Sequence, residues 1–221
     1  MLERWATFDC YGTLVDWEGG VRGTLSRLWP ESDTDYLLRH FHTIEPLVQE
    51  GRSLPYREVG ARTLRALAAV EDLPLPADRE YDLAESLPNW PVFPDVPAGL
   101  QAVRAAGWRI AILSNTDPDL LAASLDRIGV PADLTITAPD AGSYKPAPGH
   151  WTTFFARTGV DRAAHVHVAA SLFHDIAPCA TMGIPAVWIN RNAETSPLPR
   201  AGELPDLRGL ADLLDGLVVE G

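Results

Sequence analysis

Short runs of β-branched and apolar residues alternate along the chain with stretches whose apolar positions recur every three or four residues. That alternation predicts an α/β fold in which helices cross over between parallel strands. Five strands are expected, at Trp5–Cys10, Arg109–Leu113, Leu134–Thr137, His165–Ala169 and Ala186–Ile189. Each is short and mostly apolar, as strands buried on both faces should be. Helices are expected at Pro97–Ala106, Pro118–Ile128, Gly149–Thr158 and Asp175–Met182, with Gly107, Gly129, Gly159 and Gly183 in C-capping positions. Ser196–Pro205 reads as an irregular loop before a last short helix.

One stretch breaks the rhythm. Roughly eighty residues between the first strand and Pro97 show helical periodicity and no convincing strand. Leu37, Leu38, Phe41, Ile44, Leu47 and Val48 form one stripe, and Val59, Thr63, Leu64, Leu67 and Ala68 form another, so the two faces should pack together. The proline-rich run Leu87–Pro97 is expected to be a stiff extended connector and the second hinge. The chain thus divides into an α/β core, 1–16 and 94–221, and an inserted helical subdomain, 17–93.

Composition narrows the functional classes. A length of 221 residues suits one domain carrying a modest insertion, and 46% hydrophobic with 22% charged residues is ordinary for a globular protein. No apolar run approaches the roughly 20 residues that span a bilayer, and the first residues lack a leader pattern, so a cytoplasmic location is expected. A formal charge of −12 repels a phosphate backbone and argues against a nucleic-acid partner. Cys10 and Cys179 lack both a disulfide framework and metal-ligand spacing and should be buried thiols; alternation along the first strand turns Cys10 away from Asp9. Of the 18 basic residues, Lys145 alone is lysine.

Ligands of an open parallel sheet bind beyond the carboxyl ends of its strands, so the residues that follow each strand are the informative ones. The first strand runs into Asp9-Cys10-Tyr11-Gly12-Thr13-Leu14, a carboxylate at the tip followed by a glycine turn and a hydroxyl. The second ends in Ser114-Asn115-Thr116-Asp117, the third leads to Ser143-Tyr144-Lys145-Pro146, and the fourth to Ala170-Ser171-Leu172-Phe173-His174-Asp175.

In the order and spacing of these four motifs, and in the helical insert after the first, nearly the whole chain resembles the haloacid dehalogenase superfamily. Within it, the chain is most similar to the hydrolytic 2-haloacid dehalogenase branch. The resemblance implies a Rossmann-like core with a helical cap and a nucleophilic aspartate, here Asp9. Asp9 would displace halide from a small anionic 2-haloacid, and water would then hydrolyse the aspartyl ester. It implies that Lys145 holds the nucleophile's charge, that Thr13 is the first-loop hydroxyl, and that Asp175 orients or deprotonates water. Ser114 and Asn115, with the amides of the next helix N-terminus, would bind the substrate carboxylate. Tyr11 and His174 would line the substrate pocket, and the branch implies a homodimer.

Phosphatases of the superfamily carry a second aspartate where this chain has Tyr11, and a Gly-Asp pair in the fourth motif that gives Mg²⁺ a hard oxygen shell with the nucleophile. Here that pair is replaced around Ala170-Ser171, so no metal or other cofactor is expected. A Mg²⁺-dependent phosphatase, a hydrolase acting on a non-halide carbon substrate, and a binding module that lost turnover are the alternatives. The branch departs here at three further places: Ala170 and Leu172 stand for serine and asparagine, Trp151 for a tyrosine, and His174 for a tryptophan. The arginine that normally meets halide or carboxylate from the first insert helix is missing from His42-Thr43-Ile44-Glu45-Pro46, leaving Arg39, Arg52 and Arg57 as substitutes. His40 and His42 are expected at the surface or between the subdomains.

Overall fold

The computed structural model describes residues 3–49 and 54–218. Its strands are β1 (Arg4–Phe8), β2 (Trp108–Ser114), β3 (Leu134–Thr137), β4 (His165–Ala169), β5 (Ala186–Ile189) and β6 (Gly202–Leu204). They form one parallel sheet in the order β3-β2-β1-β4-β5-β6. Register follows the apolar pattern, with Phe8 opposite Ile112 on one side and Val168 on the other, all buried. The order reverses between β1 and β4, which opens a crevice at their carboxyl ends.

Helices α1 (Trp17–Leu28), α2 (Thr34–Gln49), α3 (Tyr56–Val70) and α4 (Asp82–Ser86) make up the insert. Its two stripes meet as expected through Leu37, Leu38, Phe41, Val59, Leu64 and Leu67, all buried. Leu47 does not join them: it lies one residue past Pro46, on the outer side near the end of α2, and is 64% exposed. The core helices are α5 (Val96–Ala105), α6 (Pro118–Ile128), α7 (Ala138–Ala141), α8 (Gly149–Thr158), α9 (Ala177–Met182) and α10 (Leu210–Leu217). Gly129 and Gly159 end α6 and α8 in the left-handed conformation, with φ of 70° and 65°. Cys10 and Cys179 are buried free thiols.

Three local expectations are corrected. A sixth strand, Gly202–Leu204, lies inside the segment read as a loop; with three residues and no apolar alternation it leaves no strand signature, and its pairing with Val187–Ile189 defines it. The Leu87–Pro97 run is not extended throughout. It begins with a 3₁₀ turn at Leu87–Asn89 and bridges Val15 through Val92, while α5 starts at Val96. The helix expected from Asp175 starts as a wider π turn at Leu172–Ile176 before α9.

The insert is tied to the core at close quarters. Asp117, just before α6, accepts hydrogen bonds from the backbone N–H groups of Tyr56 and Arg57 at 2.8 and 3.1 Å, so a core carboxylate caps the first turn of α3. Gly20 in α1 faces the Trp90 indole so closely that a Cβ would lie 2.2 Å from it. Gly20→Ala is therefore expected to destabilise by about 1–3 kcal/mol through overpacking, despite the better helix propensity of alanine. A shift of the urea unfolding midpoint to lower concentration at unchanged slope is the check.

Candidate active site

Every strand-end motif converges on the crevice between β1 and β4. Asp9 follows β1 and is 6% exposed, its backbone N–H extending the pairing to the Val168 carbonyl at 3.1 Å. Gly12, at φ 91°, reverses the chain after Tyr11 and brings Thr13 back beneath Asp9. The Thr13 hydroxyl donates to Asp9 Oδ2 at 2.7 Å and accepts the Ala170 N–H at 2.9 Å, which ties the first and fourth motifs together.

Lys145 is 1% exposed, and its three ammonium protons are fully used. They go to Asp9 Oδ1 at 2.8 Å, Asp175 Oδ1 at 2.7 Å and the Leu113 carbonyl at 2.9 Å. Burial by itself would lower the lysine pKa, but Asp175 and Asp9 together outweigh it and hold the pKa above the ordinary value. Burial works to raise Asp175, and Lys145 and His167 overcome it, so this carboxyl titrates well below the usual range.

The network continues inward. His167 Nε2 lies 3.1 Å from Asp175 Oδ1, and Thr7 Oγ1 lies 2.8 Å from both His167 Nδ1 and His165 Nε2. Asp175 can only accept, so His167 donates from Nε2, and the Thr7 hydroxyl links the two imidazoles. His165 Nδ1 is buried without a partner among the described residues. Burial, reinforced by His167, pushes its pKa down to about 3. His150, whose Nε2–H donates to the Ser114 carbonyl at 3.1 Å, is pushed down to about 4 by burial and by Lys145.

Above this floor lies a cavity of about 800 Å³, walled by the core on one side and the insert on the other. Tyr11, Asn115 and His174 are on its wall, as expected of substrate-facing residues. The Tyr11 phenol lies 2.9 Å from the Ser124 hydroxyl, and burial raises its pKa so that it stays protonated. Asn115 closes its amide on the Lys145 backbone, donating to the carbonyl at 2.9 Å and accepting the N–H at 2.7 Å, which fixes the lysine loop. Ser114 is fully buried one residue behind, its hydroxyl without a partner among the described residues. Asp9, Thr13, Lys145 and Asp175 are not on the wall but lie beneath it, and Asp175 is enclosed under Lys145 with Oδ2 buried and without a partner among the described residues.

Of the three arginines named from sequence, Arg39 is exposed near the Tyr36 ring, Arg57 pairs with Asp117 and Asp119, and Arg52 lies outside the described residues. Arg191, which sequence reasoning missed, is on the wall, held by both Asp95 oxygens at 3.0 Å and by the Thr13 carbonyl. Glu45 was missed as well. It sits on the wall from the insert side, accepts from the Tyr56 hydroxyl at 3.2 Å, and burial raises its pKa to about 7. Its place four residues after Phe41, in the buried stripe of α2, was a legible signal. His42 is a wall residue too, while His40 pairs with Glu71 away from the cavity.

A parallel sheet with an aspartate at the β1 tip, a buried lysine bridging it to the fourth motif, and a cavity between core and insert defines a hydrolase site of the type the motifs implied. Residues 4–183 match the family of haloacid dehalogenase-like hydrolases, and the chain belongs to that family. An (S)-2-haloacid dehalogenase from Pseudomonas sp. (strain CBS-3) is 27% identical over 226 residues, which covers 96% of each chain. A phosphoserine phosphatase from Thermus thermophilus is 27% identical over 164 residues, 69% of this chain and 64% of that protein. The crystal structure of the L-2-haloacid dehalogenase from Xanthobacter autotrophicus with chloropropionic acid covalently bound superposes with a TM-score of 0.83 at 20% identity, covering 97% of this chain and 99% of that one.

Proposed function

We propose that this hydrolase removes halide from a small 2-haloacid through an ester on Asp9, giving a 2-hydroxy acid without a metal. The observation that carries the reading is the occupancy around Asp9: Lys145 on one oxygen, Thr13 on the other, and no second carboxylate at Tyr11 or Ala170. A carboxylate so held is fixed in a nearly dry site and aimed for attack on carbon. The phenol at position 11 stays protonated but is spent on Ser124, so it is a poor stand-in for the acid that a phosphatase uses on a leaving alcohol.

Residues 17–93 act as the cap and 1–16 with 94–221 as the core. The cap closes the cavity over Asp9 and keeps water away while the carbon–oxygen bond forms. The substrate carboxylate is received near Asn115 and the N-terminal end of α6, and Asp175 anchors the lysine. Magnesium would need several free hard oxygens. Position 170 supplies none, Asp175 Oδ1 is shared by Lys145 and His167, and both Asp9 oxygens are taken. Among the described residues, no three His, Cys, Asp or Glu side chains gather as metal ligands. The residues present do not fit the ion, and no step is assigned to one.

Halide release from 2-chloropropionate in excess chelator, compared with Asp9→Asn, tests the reading. Release should survive chelation and fall at least ~10³-fold in the variant, as expected when a nucleophile is removed. Absence of halide release together with Mg²⁺-dependent release of inorganic phosphate from small phosphate esters would move the protein to the phosphatase branch. A homodimer and a cytoplasmic location, implied at the outset by resemblance and by the lack of an apolar span, belong to the same proposal.

A further inference from the structure

The second half of the proposed reaction needs a group that takes a proton from water, and the enclosed Asp175 is poorly placed to be that group. It is fully buried where Asp9 keeps 6% exposure, its Oδ1 is committed to Lys145 and His167, and as a carboxyl titrating well below the usual range it is a weak base. Successive residues of a π turn, closed by i→i+5 hydrogen bonds, point roughly a quarter-turn apart. The π turn that buries Asp175 therefore turns its neighbour His174 outward onto the cavity wall.

From these placements, and resting on the ester reading above, we propose that His174 is the general base that drives water onto the Asp9 ester. The Ser171 hydroxyl lies 3.2 Å from His174 Nδ1 and also accepts the His174 backbone N–H at 3.0 Å. In the tautomer with the ring proton on Nδ1 and shared with Ser171, Nε2 carries the lone pair that can take a proton. Ala170, four residues before His174, is bonded to Thr13 and through it to Asp9, so two hydrogen bonds tie the loop that carries the imidazole to the nucleophile. Burial keeps the ring below its ordinary pKa and hence unprotonated at neutral pH.

Nε2 takes a proton from water as the water oxygen bonds to Asp9 Cγ. The tetrahedral intermediate then breaks the bond from Cγ to the ester oxygen, an oxygen that came from Asp9 and stays on the substrate carbon, and this oxygen takes the proton from the imidazolium as the 2-hydroxy acid leaves. Asp9 regains its carboxylate with one oxygen from water and releases a proton to solvent. Ser171 is a positioning residue that holds the ring through Nδ1.

The test follows the two half-reactions separately in His174→Ala, with (S)-2-chloropropionate as probe. One equivalent of chloride per site should appear rapidly, steady turnover should fall about 10²-fold or more, and the peptide containing Asp9 should carry the mass of the alkyl group. Added imidazole should restore turnover and clear the adduct, a readout that a merely structural role would not give. Ser171→Ala should show a smaller loss of the same kind. Turnover within about threefold of wild type and no adduct would overturn the assignment. Loss of the initial chloride burst would overturn it as well, by moving His174 to the first step. If the wild-type enzyme releases no chloride from any 2-haloacid, the dehalogenase reading itself falls, and the base with it.

Discussion

Lys145→Met should abolish halide release and lower stability by about 3–5 kcal/mol, the cost of removing one partner from a buried ionic cluster. Lys145 neutralises two carboxylates that have almost no access to water: their side chains are 9% and 1% exposed. Methionine fills the space but leaves Asp9 and Asp175 facing one another without a cation. Part of the stability should return in the double variant Lys145→Met/Asp175→Asn, because one of the stranded charges is gone, while activity stays lost. Urea unfolding of the two single variants and the double variant gives the coupling directly. A Lys145→Met protein that unfolds at the wild-type midpoint would show that the cluster contributes little to the fold.

Acid should unfold the protein earlier than its carboxylates alone would predict. His150 and His165 are fully buried and have folded pKa values of about 4 and about 3, against an ordinary value of 6.5. As pH falls below about 6.5 the unfolded chain binds protons that the folded chain refuses, so stability drops through this window down to the folded values. Glu45 works in the opposite direction. Its folded pKa of about 7 lies above the ordinary 4.5, so the folded state holds its proton more tightly, and this group favours folding as pH falls from 7 to 4.5. Two histidines outweigh one glutamate. At about 1.4 kcal/mol per pKa unit, the net loss by pH 4 is on the order of several kcal/mol. That is a large share of a typical stability of about 5–15 kcal/mol. Urea midpoints should change little between pH 7.5 and 6, where Glu45 nearly offsets the histidines, and fall between pH 6 and 4.5, and His165→Gln should flatten that fall; a midpoint unchanged down to pH 4.5 would contradict the argument.

What could be read from the sequence was the set of positions where polar residues interrupt apolar strands at their carboxyl ends. Asp9, Ser114, Lys145 and Asp175 were visible for that reason, and the strand order then brings all four to one crevice. The chemistry between them was less visible. The Thr7 hydroxyl meets His165 and His167, 158 and 160 positions further on, through a strand pairing that no local pattern encodes. Two histidines at alternate positions of an apolar strand were the available hint, since they must share one face. Asn115 was legible as a wall residue, whereas its engagement with the Lys145 backbone depends on how a loop 30 positions away returns. Glu45 and Arg191 went unnoticed because each was judged by its neighbours in sequence, and the cavity they share is formed by the packing of insert against core.

The carboxylate of Asp117 bears on how far the two parts of this protein are separable. Pro55, which precedes α3, offers no side chain to its opening N–H groups, and the residue that satisfies them is encoded beyond β2. The start of a cap helix is thus written in the core. A cap transplanted from another member of the family would arrive without this complement and would meet an aspartate aimed at nothing. In this chain, therefore, exchange of the whole insert requires position 117 to travel with positions 55–57 as one heritable unit.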